Sequence, residues 1–319
     1  MYSIIMGVIS IAYMNHWDLR ELLFDIIRSN FPNESIIKVN SEENPTILIC
    51  SVFGDINMVK NTKARYKIFY TGENPNRYSP YNDDKLLCRT FDLIIGFNKT
   101  DISNKRINFP LWLYMWSRDN KVYNYDKKNN ILSYIEGRNR ENLKNKKGKF
   151  ATFVSSHDCT VRRKIGNEME RYGKVFYPGK FRKNTKEISN RVDRWTDKIN
   201  YISDSIYNIC PENSKGEGYF TEKIFHAFEA GTIPIYWAID YPEPRVINRK
   251  RLFLVDLDNI GKIGDVIVNK ERYLEGPLFI KGADEYVNEL YTTLIQELGK
   301  IIDNIREKDN IRENCNIKE

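Results

Sequence analysis

The sequence predicts an α/β protein built on parallel sheets, and two observations carry the prediction. Short apolar runs alternate with helical patterns along the chain, a βαβ rhythm that sets a parallel sheet between layers of helix. A polar, basic stretch from Gly137 to Lys149, with two glycines and almost no apolar residue, divides this alternation into two sets.

In the first set, Ile4 to Tyr13 reads as the buried first strand of a parallel sheet. Asp18 to Ser29 carries Leu19, Leu22, Leu23, Ile26 and Ile27 at helical spacing, with Asp18 near its start. Thr46 to Val52, Tyr66 to Tyr70 and Leu93 to Phe97 are further strand runs. In the second set, Phe150 to Ser155 is a strand, Val161 to Tyr172 a helix and Lys174 to Tyr177 a strand, with another strand at Leu252 to Val255. Apolar residues recur every three or four positions from Glu285 to Lys308. Glu289, Glu297, Asp303 and Glu307 weigh against a membrane-surface helix there. They favour a packing helix that crosses back to the first set, before a frayed tail from Asp309. The expected organisation is a first domain over 1–140, a basic linker over 141–149, a second domain over 150–284, and a C-terminal amphipathic helix and tail over 285–319.

Composition narrows the class. The chain has 319 residues, 41% of them hydrophobic, enough for one large or two medium domains with real cores. A net charge of +7 suits anionic substrates, nucleic acid or an acidic membrane surface. The basic residues are scattered rather than striped, and no nucleic-acid recognition motif is present, so nucleic acid is not an expected partner. The five cysteines are widely spaced, with no CxxC or Cys/His cluster, which argues against structural zinc and for a reducing compartment. The apolar N-terminus falls short of the about 20 residues a membrane span needs, and lacks a basic n-region or an obvious cleavage site. The expectation is a cytoplasmic protein, with peripheral membrane association not favoured.

Cys210 to Trp237, CPENSKGEGYFTEKIFHAFEAGTIPIYW, is the most informative stretch. Tyr201 to Cys210 reads as a strand, or a short helix running into one. Pro211 to Gly218 is loop chemistry. Thr221 is placed as an N-cap with Glu222 in the first turn, and Ile224, Phe225, Ala227 and Phe228 form one apolar face. Gly231 takes the C′ position, and Thr232 to Trp237 is a buried strand. Lys223 in a first turn is unfavourable for the helix alone, and together with the N-terminal N–H groups it points to an anionic ligand. Glu222 could accept from a ribose diol. The pattern suits a nucleoside diphosphate; an ordinary αβ connection with surface charges fits the same letters.

Glu212-Asn213-Ser214, Gly218-Tyr219-Phe220-Thr221-Glu222-Lys223-Ile224 and Thr232-Ile233-Pro234-Ile235-Tyr236-Trp237 together resemble, in order and spacing, the donor-binding signature of the α1,3/4-fucosyltransferases, glycosyltransferase family 10. Two residues depart from it: Ala238 stands where the family usually has Gly, and His226 where an acidic residue is common. The resemblance implies a GT-B architecture, two Rossmann-like domains with an interdomain cleft, the N-terminal half holding the acceptor and the C-terminal half the nucleotide. It implies an inverting glycosyltransferase that moves L-fucose from GDP-fucose to a hydroxyl of a glycan or glycoconjugate, α1,3 or α1,4 to GlcNAc or a related sugar. The alternative is the same fold with another nucleotide-activated sugar.

Tyr70-Thr71-Gly72-Glu73-Asn74 ends a strand, and a carboxylate at that end of an open α/β sheet is either well placed for catalysis or a solvated turn residue. In the family, a strand followed by TGEN supplies the catalytic base, which the resemblance assigns to Glu73. Asp92 to Phe97, Phe109-Pro110-Leu111-Trp112 and Asn15-His16-Trp17 resemble further family landmarks in the right order. For the donor, the resemblance implies Lys223, Asn213, Tyr219 and Glu222, with Ser155 and Arg162 from a strand end like the family's FVxS. Glu212 either contacts the donor or orients the loop. A second phosphate cation comes from Phe181-Arg182-Lys183-Asn184-Thr185; strict spacing selects Lys183, and bidentate phosphate geometry selects Arg182. Lys198 also aligns with a lysine of relatives. Asp256-Leu257-Asp258 spells DxD, but GT-B relatives stabilise the leaving group with cations and helix dipoles, so neither a divalent metal nor another cofactor is expected.

Overall fold

The computed structural model describes residues 7–16, 22–97, 105–117, 131–145, 147–188 and 194–316. The chain forms two compact units, Met1–Tyr114 with Asn288–Glu319, and Met115–Val287. In chain order the strands are β1 Ile9–Met14, β2 Ile36–Lys38, β3 Ile47–Cys50, β4 Tyr66–Tyr70, β5 Leu93–Gly96, β6 Arg106–Asn108, β7 Lys149–Phe153, β8 Val175–Phe176, β9 Ser205–Ile209, β10 Ile233–Tyr236 and β11 Phe253–Leu254. The helices are α1 Leu22–Asn30, α2 Ile56–Asn61, α3 Asp84–Thr90, α4 Leu111–Ser117, α5 Ile131–Leu143, α6 Thr160–Glu170, α7 Arg194–Ile202, α8 Lys223–Glu229, α9 Ile263–Val268 and α10 Ala283–Asn316.

The first unit holds a six-stranded sheet in the order β2-β1-β3-β4-β5-β6, with every pairing parallel. The second holds a five-stranded sheet in the order β11-β10-β9-β7-β8, again all parallel. Both windings follow one rule. The second strand lies outside the first, and the rest add on the other side, so each sheet reverses direction beside its first strand. Ligands of open α/β sheets gather at such reversals, outside the carboxyl ends of the strands.

The strand runs that are apolar at successive positions are the ones covered on both faces: every residue of β3, β5 and β10 is buried. Pro234 survives inside β10 because β11 begins pairing only at Ile235, so the missing N–H lies outside that register. Ala12, Leu48, Phe69, Leu87 and Ile94 anchor the first core. Phe153, Ile165, Tyr177, Ile209, Ile235 and Val255 anchor the second.

Three boundaries differ from the sequence expectation. Residues 131–140, placed in the first domain, and 141–143, placed in the linker, form α5 of the second unit. The helix buries Ile131, Leu132 and Ile135, and its asparagines grip α8: Asn139 Nδ2 donates to Phe228 O at 2.5 Å and Asn142 Nδ2 to Glu229 O at 2.8 Å. Within the expected linker, Lys147 is tied down, its Nζ donating to Ser203 O at 2.6 Å and Asn142 O at 2.9 Å. The letters looked like a linker because these ties use polar side chains and carbonyls rather than an apolar stripe.

From Asn288 the C-terminal helix belongs to the first unit. Leu294, Leu298, Ile302 and Ile305 are buried, and Tyr291 meets Phe109 edge to face at 5.1 Å. Arg65 pairs with Asp309 at 2.7 Å, and the helix continues to Asn316 where a frayed tail was expected. The edge strands β2 and β6, three residues each, were too short to be anticipated, and residues 4–6 of the first predicted strand lie outside the described residues.

Candidate functional site

In the second unit the reversal falls between β7 and β9. The segment after β7 carries Ser155, whose Oγ donates to His157 O at 3.1 Å. Arg162, buried on α6, spans the two strand ends: Nη1 donates to His157 O at 2.9 Å and Nη2 to Asn213 Oδ1 at 3.1 Å, on the loop after β9. Ser155 and Arg162 thus converge with Asn213, which is distant in sequence and exposed.

Glu212, one residue earlier, is the centre of a buried node. Oε1 accepts from Thr221 N at 2.8 Å and from the Tyr236 hydroxyl at 2.6 Å. Oε2 accepts from Thr221 Oγ1 at 2.7 Å and from Lys223 Nζ at 3.1 Å. A carboxylate has about four acceptor positions, and all are filled from within the chain. That coordination is the geometry of a residue that organises the loop.

Thr221 also departs from expectation. Its side chain serves Glu212 instead of capping a helix, and it accepts from Lys223 Nζ at 2.8 Å. The helix starts at Lys223, with Glu222 in the cap position and no side-chain cap bond. At seven residues it is short, so the cationic character here resides in Lys223 more than in the helix terminus. The helix ends as predicted. Gly231, at φ +63°, donates to Phe228 O at 2.9 Å, and Thr232 N donates to Ala227 O at 3.1 Å, the paired bonds of a Schellman ending.

Glu222 is 7% exposed, between Lys223 at 3.9 Å and Lys198 at 4.0 Å. Burial alone would raise its pKa, but Lys223, then Lys198 and His226, outweigh it and hold the carboxyl at about 2. Burial would likewise lower Lys223; the charges of Glu212 and Glu222 overcome this and hold the ammonium well above the usual lysine range. His226, buried and beside Lys198, is pushed well below the ordinary imidazole value. Its Nδ1 lies 3.1 Å from Lys198 Nζ and, in a neutral ring, accepts from it. Tyr219 is buried after Gly218, which takes φ +67°, and stands within the electrostatic reach of Lys223.

Arg182 and Lys183 are not drawn into this node. Arg182, at φ 49°, pairs with Glu170 at 3.5 Å, and Lys183 with Glu187 at 2.7 Å. Asn184 fixes their loop to β8, accepting from Tyr177 N at 2.8 Å and donating to Val175 O at 2.8 Å. Asp256 of the DxD spelling pairs with Lys215 at 2.7 Å and accepts from Leu257 N at 2.8 Å. Among the described residues, no group of three or more His, Cys, Asp or Glu could hold a metal. Nor is any described helix long and apolar enough to cross a membrane.

In the first unit, Glu73 lies just past the carboxyl end of β4, half-buried. Thr71 shapes its turn: Oγ1 accepts from Glu73 N at 3.0 Å and donates to Glu73 O at 3.2 Å. Gly72 lets Leu111 pack against the turn, since a Cβ there would stand 2.5 Å from Leu111 Cδ1 and the leucine would have to shift. Asn74 caps the 3₁₀ turn Pro75–Arg77, accepting from Asn76 N at 3.1 Å. Burial and then the Glu73 charge raise the pKa of Tyr78. At the end of β1, Asn15 donates to Asp55 O and to Tyr81 Oη, each at 3.1 Å, tying β1 to the loop after β3. Trp17 lies outside the described residues.

Sequence reasoning missed Tyr236 as a member of the node, although its place at the carboxyl end of a buried strand was a signal that its hydroxyl must find a partner. It also missed Tyr81 beside Asn15.

Comparison with known proteins bears on both units. The alpha-(1,3)-fucosyltransferase FucT N-terminal domain family matches residues 11–115. An alpha-(1,3)-fucosyltransferase FucT of Helicobacter pylori is 26% identical over 224 residues, 62% of this chain and 42% of that protein. The chain therefore spans less than half the length of this curated relative. The crystal structure of an α1,3-fucosyltransferase superposes with a TM-score of 0.61 at 23% identity, covering 95% of this chain and 92% of the other. Structures of α1,3-fucosyltransferase with GDP and with GDP-fucose give TM-scores of 0.60 and 0.57 at 23% identity, covering 93% and 92% of this chain and 92% of each of those chains. These likenesses show the fold, two parallel α/β units of GT-B type.

Proposed function

We propose, from the premise that the chain belongs to the α1,3-fucosyltransferase family, that it transfers L-fucose from GDP-fucose to a hydroxyl of a glycan acceptor with inversion at the anomeric carbon. The observation that carries this reading is the buried node at the strand reversal of the second unit, where Glu212 and Thr221 hold the Lys223 ammonium. Two of the three ammonium hydrogens are so used, which leaves one to donate to a phosphate oxygen. Glu222, kept ionised, accepts from the ribose diol. Arg162 presents Asn213 at the same strand ends, and Tyr219 lies under the nucleotide.

Glu73 takes the proton from the acceptor hydroxyl as that oxygen bonds to the anomeric carbon. The bond from the anomeric carbon to the β-phosphate oxygen breaks in the same displacement, through an oxocarbenium-like transition state, and GDP leaves with the electron pair. Lys223 stabilises the charge that develops on the diphosphate. Arg182 or Lys183 adds a second cation once the nucleotide draws one of them from its surface glutamate. The acceptor carries GlcNAc or a related sugar, and the new bond is α1,3 or α1,4.

The test is release of GDP from GDP-fucose across a panel of acceptors: N-acetyllactosamine, lactose and chitobiose. Acceptor-stimulated release that disappears in Glu73→Gln supports donor, reaction and base together. Tight GDP binding without release from GDP-fucose, but with release from another GDP-sugar, would replace fucose and keep the fold.

A further inference from the structure

We infer that Tyr236 is a positioning residue for the phosphate-binding cation: acting through Glu212, it sets where the Lys223 ammonium stands. The inference rests on the reading of Lys223 as a ligand of GDP. Tyr236 is the last residue of β10 and fully buried, so it cannot itself meet a ligand. Its hydroxyl donates at 2.6 Å to Glu212 Oε1, the oxygen that Lys223 does not use. Burial, and then the neighbouring Glu212 charge, keep that phenol protonated far above neutral pH, so it remains a donor.

The division of labour within the carboxylate is what matters. Tyr236 and Thr221 N occupy Oε1, so the carboxylate cannot turn to offer both oxygens to Lys223. Lys223 instead shares Oε2 with Thr221 Oγ1 and rests at 2.8 Å from that hydroxyl. An incoming phosphate shares this cation with Glu212 and takes the third ammonium hydrogen. Without the Tyr236 hydroxyl, Oε1 keeps Thr221 N as its one remaining donor in a buried site, and the flexible cation already on the same carboxylate is Lys223. The carboxylate would then turn to engage the ammonium with both oxygens, drawing it off the ligand. Tyr236 thus keeps Glu212 from over-binding the cation it positions.

The test is a double-mutant cycle on GDP affinity, measured by calorimetry with the full chain. Tyr236→Phe is expected to weaken GDP binding roughly tenfold, the size of one charge-assisted hydrogen bond. In a Lys223→Ala background the same change is expected to alter affinity by less than about twofold, because the residue through which it acts is gone. A merely structural role would lower the melting temperature in both backgrounds and leave the loss of affinity undiminished. Wild-type affinity in Tyr236→Phe, or two losses that simply multiply, would overturn the inference. Should Tyr236→Phe not fold, Thr221→Val and Thr221→Ser test the same carboxylate from its other side. A loss of GDP affinity in the first that the second restores supports the inference, and unchanged affinity in Thr221→Val overturns it. Failure of the wild-type chain to bind GDP would instead remove the nucleotide reading on which the inference stands.

Discussion

Protonating Glu222 should unlock the second unit, and the size of the effect follows from its surroundings. The carboxyl is 7% exposed, with cations 3.9 and 4.0 Å away, and its pKa falls from an ordinary 4.5 to about 2. At 1.36 kcal/mol per unit, a shift of that size links ionisation to about 3 kcal/mol of folding stability. The folded value lies below the unfolded one, so this contribution is fully present above about pH 4.5 and is lost as pH falls toward 2. The assay is urea unfolding of wild type and Glu222→Gln at intervals from pH 6 to 2.5, followed by tryptophan fluorescence. The Gln variant cannot titrate at this position, so the difference between the curves isolates Glu222 from the other carboxylates. Wild type is expected to be the more stable protein at pH 6 and to lose most of that advantage by pH 2.5. Parallel curves would refute the reasoning, because they would mean that Lys198 and Lys223 do not hold this carboxyl ionised in the fold.

Glu73→Gln should reduce transfer by about 10²–10⁴-fold, the usual share of general base catalysis, while GDP affinity measured by calorimetry stays at the wild-type level. Lys223→Ala should both weaken GDP binding and slow turnover by about 10²-fold or more, and steady-state kinetics over a range of donor concentrations separates the two effects. Gly231→Ala should lower the melting temperature, since φ is +63° and the new Cβ would stand 2.9 Å from Asn142 Cβ; GDP binding to the folded fraction should persist. Incubation with EDTA should leave the transfer rate unchanged, as Asp256 is already paired with Lys215.

The sequence was most legible where a single physical demand sets the letters. The strands β3, β5 and β10 are buried on both faces, so they read as unbroken apolar runs. Gly231 was legible because a left-handed helix end asks for glycine. Legibility failed where polar groups do the packing. Asn139 and Asn142 hold the last carbonyls of α8, and nothing in their letters distinguishes that from a solvated linker. Thr221 had the letter of a helix cap, but the helix starts two residues later and the threonine hydroxyl donates to the Glu212 carboxylate. Spacing selected Lys183 and phosphate geometry Arg182, and each pairs with a glutamate of its own neighbourhood. The motif left Glu212 open between the donor and the loop, and its letter could not tell that four donors of the chain itself fill its carboxylate.

Mass spectrometry of the acceptor tests the central claim most directly. N-acetyllactosamine incubated with GDP-fucose and the wild-type chain is expected to gain the mass of one fucosyl residue, with no gain when Glu73→Gln or Lys223→Ala replaces it. A fucosylated product formed equally well by both variants would contradict the assignment of base and phosphate cation. An unmodified acceptor across the whole panel, with GDP-fucose left intact, would contradict fucosyl transfer itself.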